Sequence, residues 1–363
     1  MTFLDRAQNP KNCFDFERFV FATAVIFSHS FPLLTGNEKA EPMAWLTNGD
    51  LTFGAFALGG FFALSGYLVL HSWLKSKDVV DYLRKRLLRI YPGFVAACLV
   101  CVVVFGPLAC TKLSVFFEHL HLRRVLGQSL ILHEPVITGI PRDIPGANVF
   151  NGSLWTIKWE FCCYLLVPIL SWIGLLGRRV GVTILFACAA AAFGIFCYGH
   201  VISVERSFEI FRGPAYGWLR CAAYFLAGMT FYLWRDKLPY RLSWFGLAIV
   251  GLFVFFRWVD LALMVLGPYL LFYCGYAGNS LLQHWSRPGD FSYGLYLYAW
   301  PVQQLIVQWF GRHLTPYSFF AVSFCATALF AMFSWFVVER PFLRLKYRSR
   351  SEAHASGPRL TGV

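Results

Sequence analysis

The chain has 363 residues, of which 58% are hydrophobic and only 14% are charged, and its mean hydropathy is +0.55. Soluble domains average about 25% charged residues, so this composition excludes an ordinary soluble domain and predicts an integral membrane protein. The net charge of +13 would also suit a nucleic-acid-binding protein, but the basic residues cluster in short segments between apolar runs, as membrane topology requires. We therefore expect membrane lipids, and no nucleic acid, among its partners.

The eleven cysteines follow the pattern neither of a disulfide framework nor of a metal site. Most of them lie inside apolar runs, where cysteine behaves as a small hydrophobic residue. The sequence has no CxxC pair with histidine partners, so it predicts no zinc site. No bound cofactor is expected.

The apolar runs predict an all-α integral membrane protein, a polytopic bundle of about ten transmembrane helices. The seventh and eighth runs fall short of the about 20 residues of a full span, so together they can form a tight hairpin or one re-entrant unit. The predicted spans are Phe14–Leu34, Phe53–Trp73, Ile90–Leu108, Leu154–Ile173, Val180–Phe196, Trp218–Trp234, Leu242–Phe256, Leu261–Tyr276, Tyr293–Phe310 and Phe319–Val338.

The distribution of Lys and Arg predicts the orientation of the bundle. With both termini in the cytoplasm, the inner segments hold 20 of the 32 basic residues, the outer segments hold nine, and three lie in spans. Residues 1–345 are expected to form one transmembrane domain, and residues 346–363 a disordered cytoplasmic tail. The longest outer loop, Ala109 to Gly152, can line an acceptor site or serve only as a connector.

The first predicted span carries two side chains that lipid disfavours, Arg18 and His29. They are eleven residues apart, which returns to nearly the same helix face about 16 Å along the axis. Ionisable groups inside a membrane usually face a protein interior or a wet cavity, which makes both residues candidates for a functional site. The simpler interpretation is that Arg18 reaches the headgroups and His29 hydrogen-bonds a neighbouring helix.

The second span contains GGFFALSGYL, where small residues favour close helix packing and Ser65 can either bond across helices or lie in a site. Just before the third span, Arg86 and Arg89 lie three residues apart on one helix face. Two guanidinium groups on one face suit a phosphate-bearing ligand, although a basic cytoplasmic loop also follows from topology alone. In the fourth span, Glu160 can act in a site or form a structural ion pair with Arg18 or Arg220.

Six segments in this order resemble the membrane-bound acyltransferase family 3. Arg18 and His29 match the arginine and histidine of its first helix, and FFALSGYL is similar to its FF-x-LSGF pattern. Arg86 and Arg89 match the arginines of its RxxRIxP loop, and residues 153–160 (SLWTIKWE) resemble its SLWSLxxE element. FSYGLYLYAWPV and FSWFVVERP are similar to its last two spans. One departure is Ala299, where many members carry a histidine.

Members of that family move an acyl group, commonly acetyl from acetyl-CoA, to hydroxyls of extracytoplasmic glycans or lipid-linked sugars. The resemblance therefore implies a multi-pass acyltransferase of the bacterial inner membrane that uses acyl-CoA as donor. The alternatives are a transporter or flippase of an amphipathic anion and, less favoured, a binding-only membrane scaffold. The expected catalytic residues are His29 and Glu160, and the expected substrate-binding residues are Arg18, Ser65, Arg86, Arg89 and Trp155.

Overall fold

The computed structural model describes residues 1–8, 11–118, 120–134, 151–198, 215–278 and 280–345. Within these residues the secondary structure is helical, apart from an isolated bridge between Thr2 and Pro239. The predicted all-α fold is confirmed. The tail predicted for residues 346–363 and part of the long loop, residues 135–150, lie outside the described residues.

Ten helices of 13 to 22 residues build the bundle in the described part of the chain, and each overlaps a predicted span, although the third begins at Val79 rather than at Ile90. They are α1 (Phe14–Thr35), α2 (Phe53–Leu74), α3 (Val79–Val100), α4 (Trp155–Trp172), α5 (Arg179–Tyr198), α6 (Ala215–Trp234), α7 (Leu242–Val254), α8 (Val259–Ala277), α9 (Ser292–Phe310) and α10 (Pro316–Ser334).

Six helical segments among the described residues are long and apolar enough to cross a membrane, so the predicted number of about ten spans is not confirmed. Helix α7 has only 13 residues. Helices α4, α6 and α9 are longer but contain polar side chains such as Glu160, Arg220 and Gln303, which lower their hydropathy. The six segments are Phe14–Thr35, Phe53–Leu74, Val79–Ala109, Arg179–Tyr198, Phe256–Ala277 and Pro316–Leu345.

Two of the helices continue through a π-helical turn. Helix α3 passes through Cys101–Phe105 into Gly106–Ala109, and α10 passes through Trp335–Glu339 and remains helical to residue 345. The last helix is thus longer than the predicted span. The shorter α-helices are Phe3–Ala7, Pro42–Leu46, Leu113–Glu118, Leu122–Leu130 and Ser280–Gln283, and the 3₁₀ turns are Glu38–Ala40, Phe256–Trp258 and Gly311–His313.

Local sequence signals fix several helix ends. The side chain of Thr52 accepts a hydrogen bond from the Ala55 amide at the start of α2, and Asp78 accepts one from the Asp81 amide at the start of α3. Helix α1 ends at Gly36, whose φ of +71° lies in the left-handed region that glycine adopts without strain. These caps set the points at which the helices of the bundle begin or end.

The GGFFALSGYL segment of α2 packs closely against α6, as predicted. A Cβ atom on Gly66 would lie 2.0 Å from the carbonyl oxygen of Phe225, and one on Gly228 would lie 1.9 Å from that of Ala63. The backbones of α2 and α6 are therefore in contact, and no residue with a Cβ atom fits at either position. This contact holds the face of α2 that carries Ser65 in a fixed orientation.

Candidate active site

A cavity of about 530 Å³ lies at the end of the bundle where α1 and α9 begin and α10 ends. Its volume falls in the range of sites that bind small molecules. Helices α1, α2, α3, α4, α9 and α10 all contribute to its wall. Five of the residues predicted from the sequence line this single cavity: Arg18, Ser65, Arg86, Arg89 and Glu160.

Asp290 joins two of the predicted arginines, although no sequence pattern indicated it. Arg89 Nη2 donates to Asp290 Oδ2 at 2.7 Å, and Arg18 Nη1 lies 3.7 Å from the same oxygen. Arg18 also pairs with Asp15 at 3.1 Å. Burial raises the pKa of Asp290, but the two arginines and hydrogen bonds from Ser292 and Arg89 outweigh burial and lower it to about 2. Asp290 is therefore charged at neutral pH and holds Arg89 in place.

Arg86 differs from Arg89 because no carboxylate within the described residues pairs with it. Its Nη2 donates to Ser72 Oγ at 3.0 Å, and its guanidinium carbon lies 5.5 Å from the centre of the Tyr164 ring. Its Nε is buried without a hydrogen-bond partner. A buried donor without a partner is rare in native proteins, so Arg86 is the better placed of the two arginines to bind an anionic ligand.

Glu160 belongs to a cluster of hydroxyl groups on the cavity wall rather than to an ion pair. Tyr164 Oη donates to Glu160 Oε1 at 2.5 Å, and Ser65 Oγ donates to the same oxygen at 3.3 Å. The structural alternative of a Glu160–Arg220 pair is wrong, because Arg220 makes a buried bidentate pair with Asp260 at 2.6 and 2.7 Å. Ser65 and Glu160 thus present polar groups to whatever occupies the cavity.

A hydrogen-bonded pair closes the deep end of the cavity. Thr156 Oγ1 and Tyr296 Oη lie 2.5 Å apart, and either hydroxyl can donate. Both side chains are buried, and the Tyr296 ring packs edge-on against Phe61 with 6.0 Å between ring centres. Along α9 the cavity-lining residues end at Tyr296, and the next residue on that face, Trp300, contacts a different set of side chains.

His29 does not line the cavity, and it contacts Trp300, which lies one helical turn after Tyr296 on α9. Its ring meets Trp300 edge-on, with 4.7 Å between ring centres, and its Nδ1 is buried without a hydrogen-bond partner. Ser153 Oγ and Gln303 Oε1 are also buried and unpartnered. The Nδ1 of His29 therefore makes no hydrogen bond to a neighbouring helix.

Gly152 packs against Trp300, the residue whose ring contacts His29. A Cβ atom on Gly152 would lie 2.8 Å from the indole of Trp300, so the start of the SLWTIKWE element touches the ring that contacts His29. Trp155, by contrast, packs partly buried against the apolar core and does not line the cavity. Of the residues predicted from the sequence, five therefore line the cavity, whereas His29 and Trp155 lie outside it.

The sequence analysis did not identify Tyr164 and Tyr296, which line the cavity, or Asp290, which pairs with two of its arginines. Tyr164 follows Glu160 by four residues on one helix, a spacing that could have identified it. Asp290 is 201 residues from Arg89, and Tyr296 is 140 residues from Thr156. These two contacts depend on how α3, α4 and α9 pack, which the spacing of residues along the chain does not reveal.

The chain matches the acyltransferase 3 family, described as an acyltransferase domain, over residues 11–338. Two relatives are similar over nearly their whole length. An "O-acetyl transferase" of Shigella phage Sf6 is 27% identical over 346 residues, which cover 92% of this chain and 96% of the relative. "Nodulation protein 10" of Rhizobium leguminosarum bv. viciae is 24% identical over 376 residues, which cover 94% and 96%.

A third relative matches a shorter stretch. "Acyltransferase MdmB" of Streptomyces mycarofaciens is 30% identical over 155 residues, which cover 42% of this chain and 37% of the relative. No solved structure matches the chain. The family match covers His29 and the cavity-lining residues from Arg18 to Trp335, and it ends before Arg340, Leu343 and Arg344. The chain therefore belongs to the acyltransferase 3 family of membrane acyltransferases.

Proposed function

We propose that the protein transfers an acyl group, most simply acetyl, from acyl-CoA to a hydroxyl of an extracytoplasmic glycan or lipid-linked sugar. The observation that carries this proposal is the division of the site into a cation-lined cavity and, outside it, an imidazole whose Nδ1 is buried and unpartnered. A thioester donor with phosphates suits the cavity, and a hydroxyl acceptor suits the polar groups around His29. The likeness to an O-acetyl transferase supports acetyl as the group.

The proposed orientation places the mouth of the cavity in the cytoplasm, where acyl-CoA is made. Twenty of the 32 Lys and Arg residues then lie on the cytoplasmic side or at that end of a span, as the positive-inside rule favours. Both termini face the cytoplasm of a bacterial inner membrane in this arrangement. His29, eleven residues beyond Arg18 along α1, then lies in the outer half of the bilayer.

Each cavity group has a proposed part in binding the donor. Arg86 binds a phosphate through the guanidinium edge that no carboxylate occupies, and Arg89 and Arg18 add positive charge next to it. Ser65 and Glu160 lie nearer the deep end and contact the arm that carries the thioester. The donor is a substrate, and no resident cofactor is needed.

The proposed chemistry is an exchange of a thioester for an ester. His29 takes the proton of the acceptor hydroxyl, whose oxygen attacks the carbonyl carbon of the thioester. The new C–O bond forms, the C–S bond breaks, and CoA leaves as a thiolate that takes up a proton. In a second form of the step His29 carries the acyl group briefly. Both forms require the acyl group to reach His29, which does not line the cavity.

The experiment uses inverted membrane vesicles supplied with isotope-labelled acetyl-CoA, followed by mass spectrometry of the glycan and lipid-linked sugar fractions. We expect a mass increase of one acetyl unit with the protein and none without it. His29→Gln keeps a hydrogen-bonding side chain but cannot take a proton at neutral pH, so transfer should fall at least about 10²-fold.

The matched control is His71→Gln. His71 lies outside the cavity, and its Nδ1 is hydrogen-bonded to Tyr232 Oη at 3.0 Å, so its replacement should leave transfer in place. Substantial activity in His29→Gln would contradict the role of His29 as base and point to Glu160. Label that crosses the membrane without becoming attached to any sugar would support the alternative, a transporter of an amphipathic anion.

A further inference from the structure

We propose that Arg340 and Arg344 recognise the 3′-phosphate of the CoA donor at the mouth of the cavity. This inference rests on the proposed function, since it assumes that acyl-CoA is the donor. It adds a recognition element on the last helix, outside the first-helix and third-helix arginines considered so far. It also explains why α10 continues past its predicted end.

The extension of α10 brings both arginines to the cavity. After the π-helical turn Trp335–Glu339, the chain stays helical through residue 345, so Arg340 and Arg344 lie one turn apart on one face. Both line the cavity together with Leu343, and both are solvent-exposed. Their guanidinium groups therefore lie at the rim, where a ligand enters.

These two arginines are the uncommitted cations of the rim. Within the described residues, neither has an ion pair, and the one contact of the Arg340 guanidinium is with the Phe336 ring, 5.8 Å from its centre. Lys85, another cation that lines the cavity, is engaged, since its Nζ pairs with Asp81 at 2.5 Å.

The charge of the cavity wall changes from its mouth to its deep end. Arg340 and Arg344 lie at the mouth, Arg86 lies further in, and the deep wall consists of uncharged side chains. That wall includes Leu58, Phe61, Phe62, Ile157, Thr156 and Tyr296.

Acyl-CoA has the same order of chemical groups along its length. The thioester stands at one end of an uncharged, flexible arm, a diphosphate follows, and the 3′-phosphate lies on the ribose at the opposite end. If the arm enters the cavity with the thioester leading, the diphosphate comes near Arg86 and the 3′-phosphate remains at the rim. A phosphate there meets two guanidinium groups that no carboxylate neutralises.

Anionic lipid headgroups present a similar chemistry, because basic side chains at the cytoplasmic end of a span attract them. The two sources differ in one respect that can be measured. Removal of the 3′-phosphate from CoA should abolish the contribution of Arg340 and Arg344 if they bind the donor, and should change nothing if they bind lipid.

The test measures binding of CoA and of dephospho-CoA to the purified full-length protein in an uncharged detergent, by calorimetry. We expect the wild type to bind CoA about tenfold or more tightly than dephospho-CoA, as one charge-assisted contact provides. The double variant Arg340→Ala/Arg344→Ala should lose that preference and bind dephospho-CoA as the wild type does. Arg287→Ala removes an exposed arginine that does not line the cavity and should leave both affinities unchanged.

Three results would overturn the inference. Equal binding of the two ligands by the wild type, or an equal loss for both ligands in the double variant, would show that the 3′-phosphate is not recognised here. An effect that appears only in nanodiscs with anionic lipid would assign the arginines to headgroups. A wild-type protein that binds neither ligand would instead overturn the acyl-CoA donor itself, and with it the proposed function.

Discussion

Replacement of Asp290 by Asn should destabilise the protein without changing the shape of the side chain. Asp290 lies between Arg89 and Arg18, at 2.7 and 3.7 Å, and only 12% of its side chain is exposed. The side chains of Arg18 and Arg89 are each about one-quarter exposed. With an asparagine at position 290, both lose the carboxylate that they share. Removal of one partner of a buried pair is costly because the remaining charge stays desolvated.

Two independent considerations give the size of this effect. The pKa of Asp290 is lowered from 3.8 to about 2, which corresponds to about 2 kcal/mol of stability at neutral pH. Loss of one partner of a buried ion pair costs about 3–5 kcal/mol in other proteins. We therefore expect Asp290→Asn to lower the free energy of unfolding by about 2–4 kcal/mol.

The pH dependence of this difference follows from the direction of the shift. A carboxylate whose pKa is lowered by folding contributes its stability above the ordinary value of 3.8, and loses it as the pH falls towards 2. The difference in stability between the wild type and Asp290→Asn should therefore be constant between pH 5 and 8. It should shrink only under strongly acidic conditions.

The measurement is thermal unfolding of the purified protein in detergent, followed by tryptophan fluorescence. Asp15→Asn is the matched control, because Asp15 pairs with the same Arg18 but its side chain is 43% exposed. An exposed pair contributes at most about 1 kcal/mol, so this variant should unfold close to the wild type. If Asp290→Asn is no less stable than Asp15→Asn, the buried pair does not hold the arginines as described.

Two further predictions concern the arginines and the orientation of the chain. Arg86→Ala should weaken CoA binding about tenfold or more with little change in stability. Arg89→Ala should mainly lower stability, because it leaves the buried Asp290 carboxylate without its closest counter-charge. Equal effects of the two variants on binding and on stability would contradict these different roles. Reporter fusions after Lys77 and after Asp143 should report opposite sides of the membrane, and the same side for both would contradict the proposed topology.

The positions of the helices could be predicted from the sequence, because each apolar run also satisfies its own backbone hydrogen bonds. The close packing at Gly66 was also predictable, because a cluster of small residues in an apolar helix favours close approach of a neighbouring helix. The number of spans was not, since a helix such as α6 can bury Arg220 against Asp260 inside the bundle and still fall short in hydropathy.

The arginines and Glu160 of the site could be predicted because charged residues in apolar surroundings stand out from the sequence. Their partners could not be predicted. Asp290 is an ordinary loop carboxylate until the packing of α9 on α3 places it beside Arg89. The sequence likewise places His29 on the same helix as Arg18, but only the packing of α1 against α9 reveals that His29 contacts Trp300 and does not line the cavity.

The Thr156–Tyr296 pair has a consequence for the membrane as a whole. A bacterium stores energy as ion gradients across its inner membrane, and an open aqueous passage through any protein would discharge them. Here the wall of the cavity includes two buried hydroxyls that are hydrogen-bonded to each other, and the ring of Tyr296 packs against Phe61. An ion would have to shed its water to pass this layer, whereas a neutral acyl group would not. Under the proposed function, an acyl group would pass from one compartment to the other through a protein that stays closed to ions.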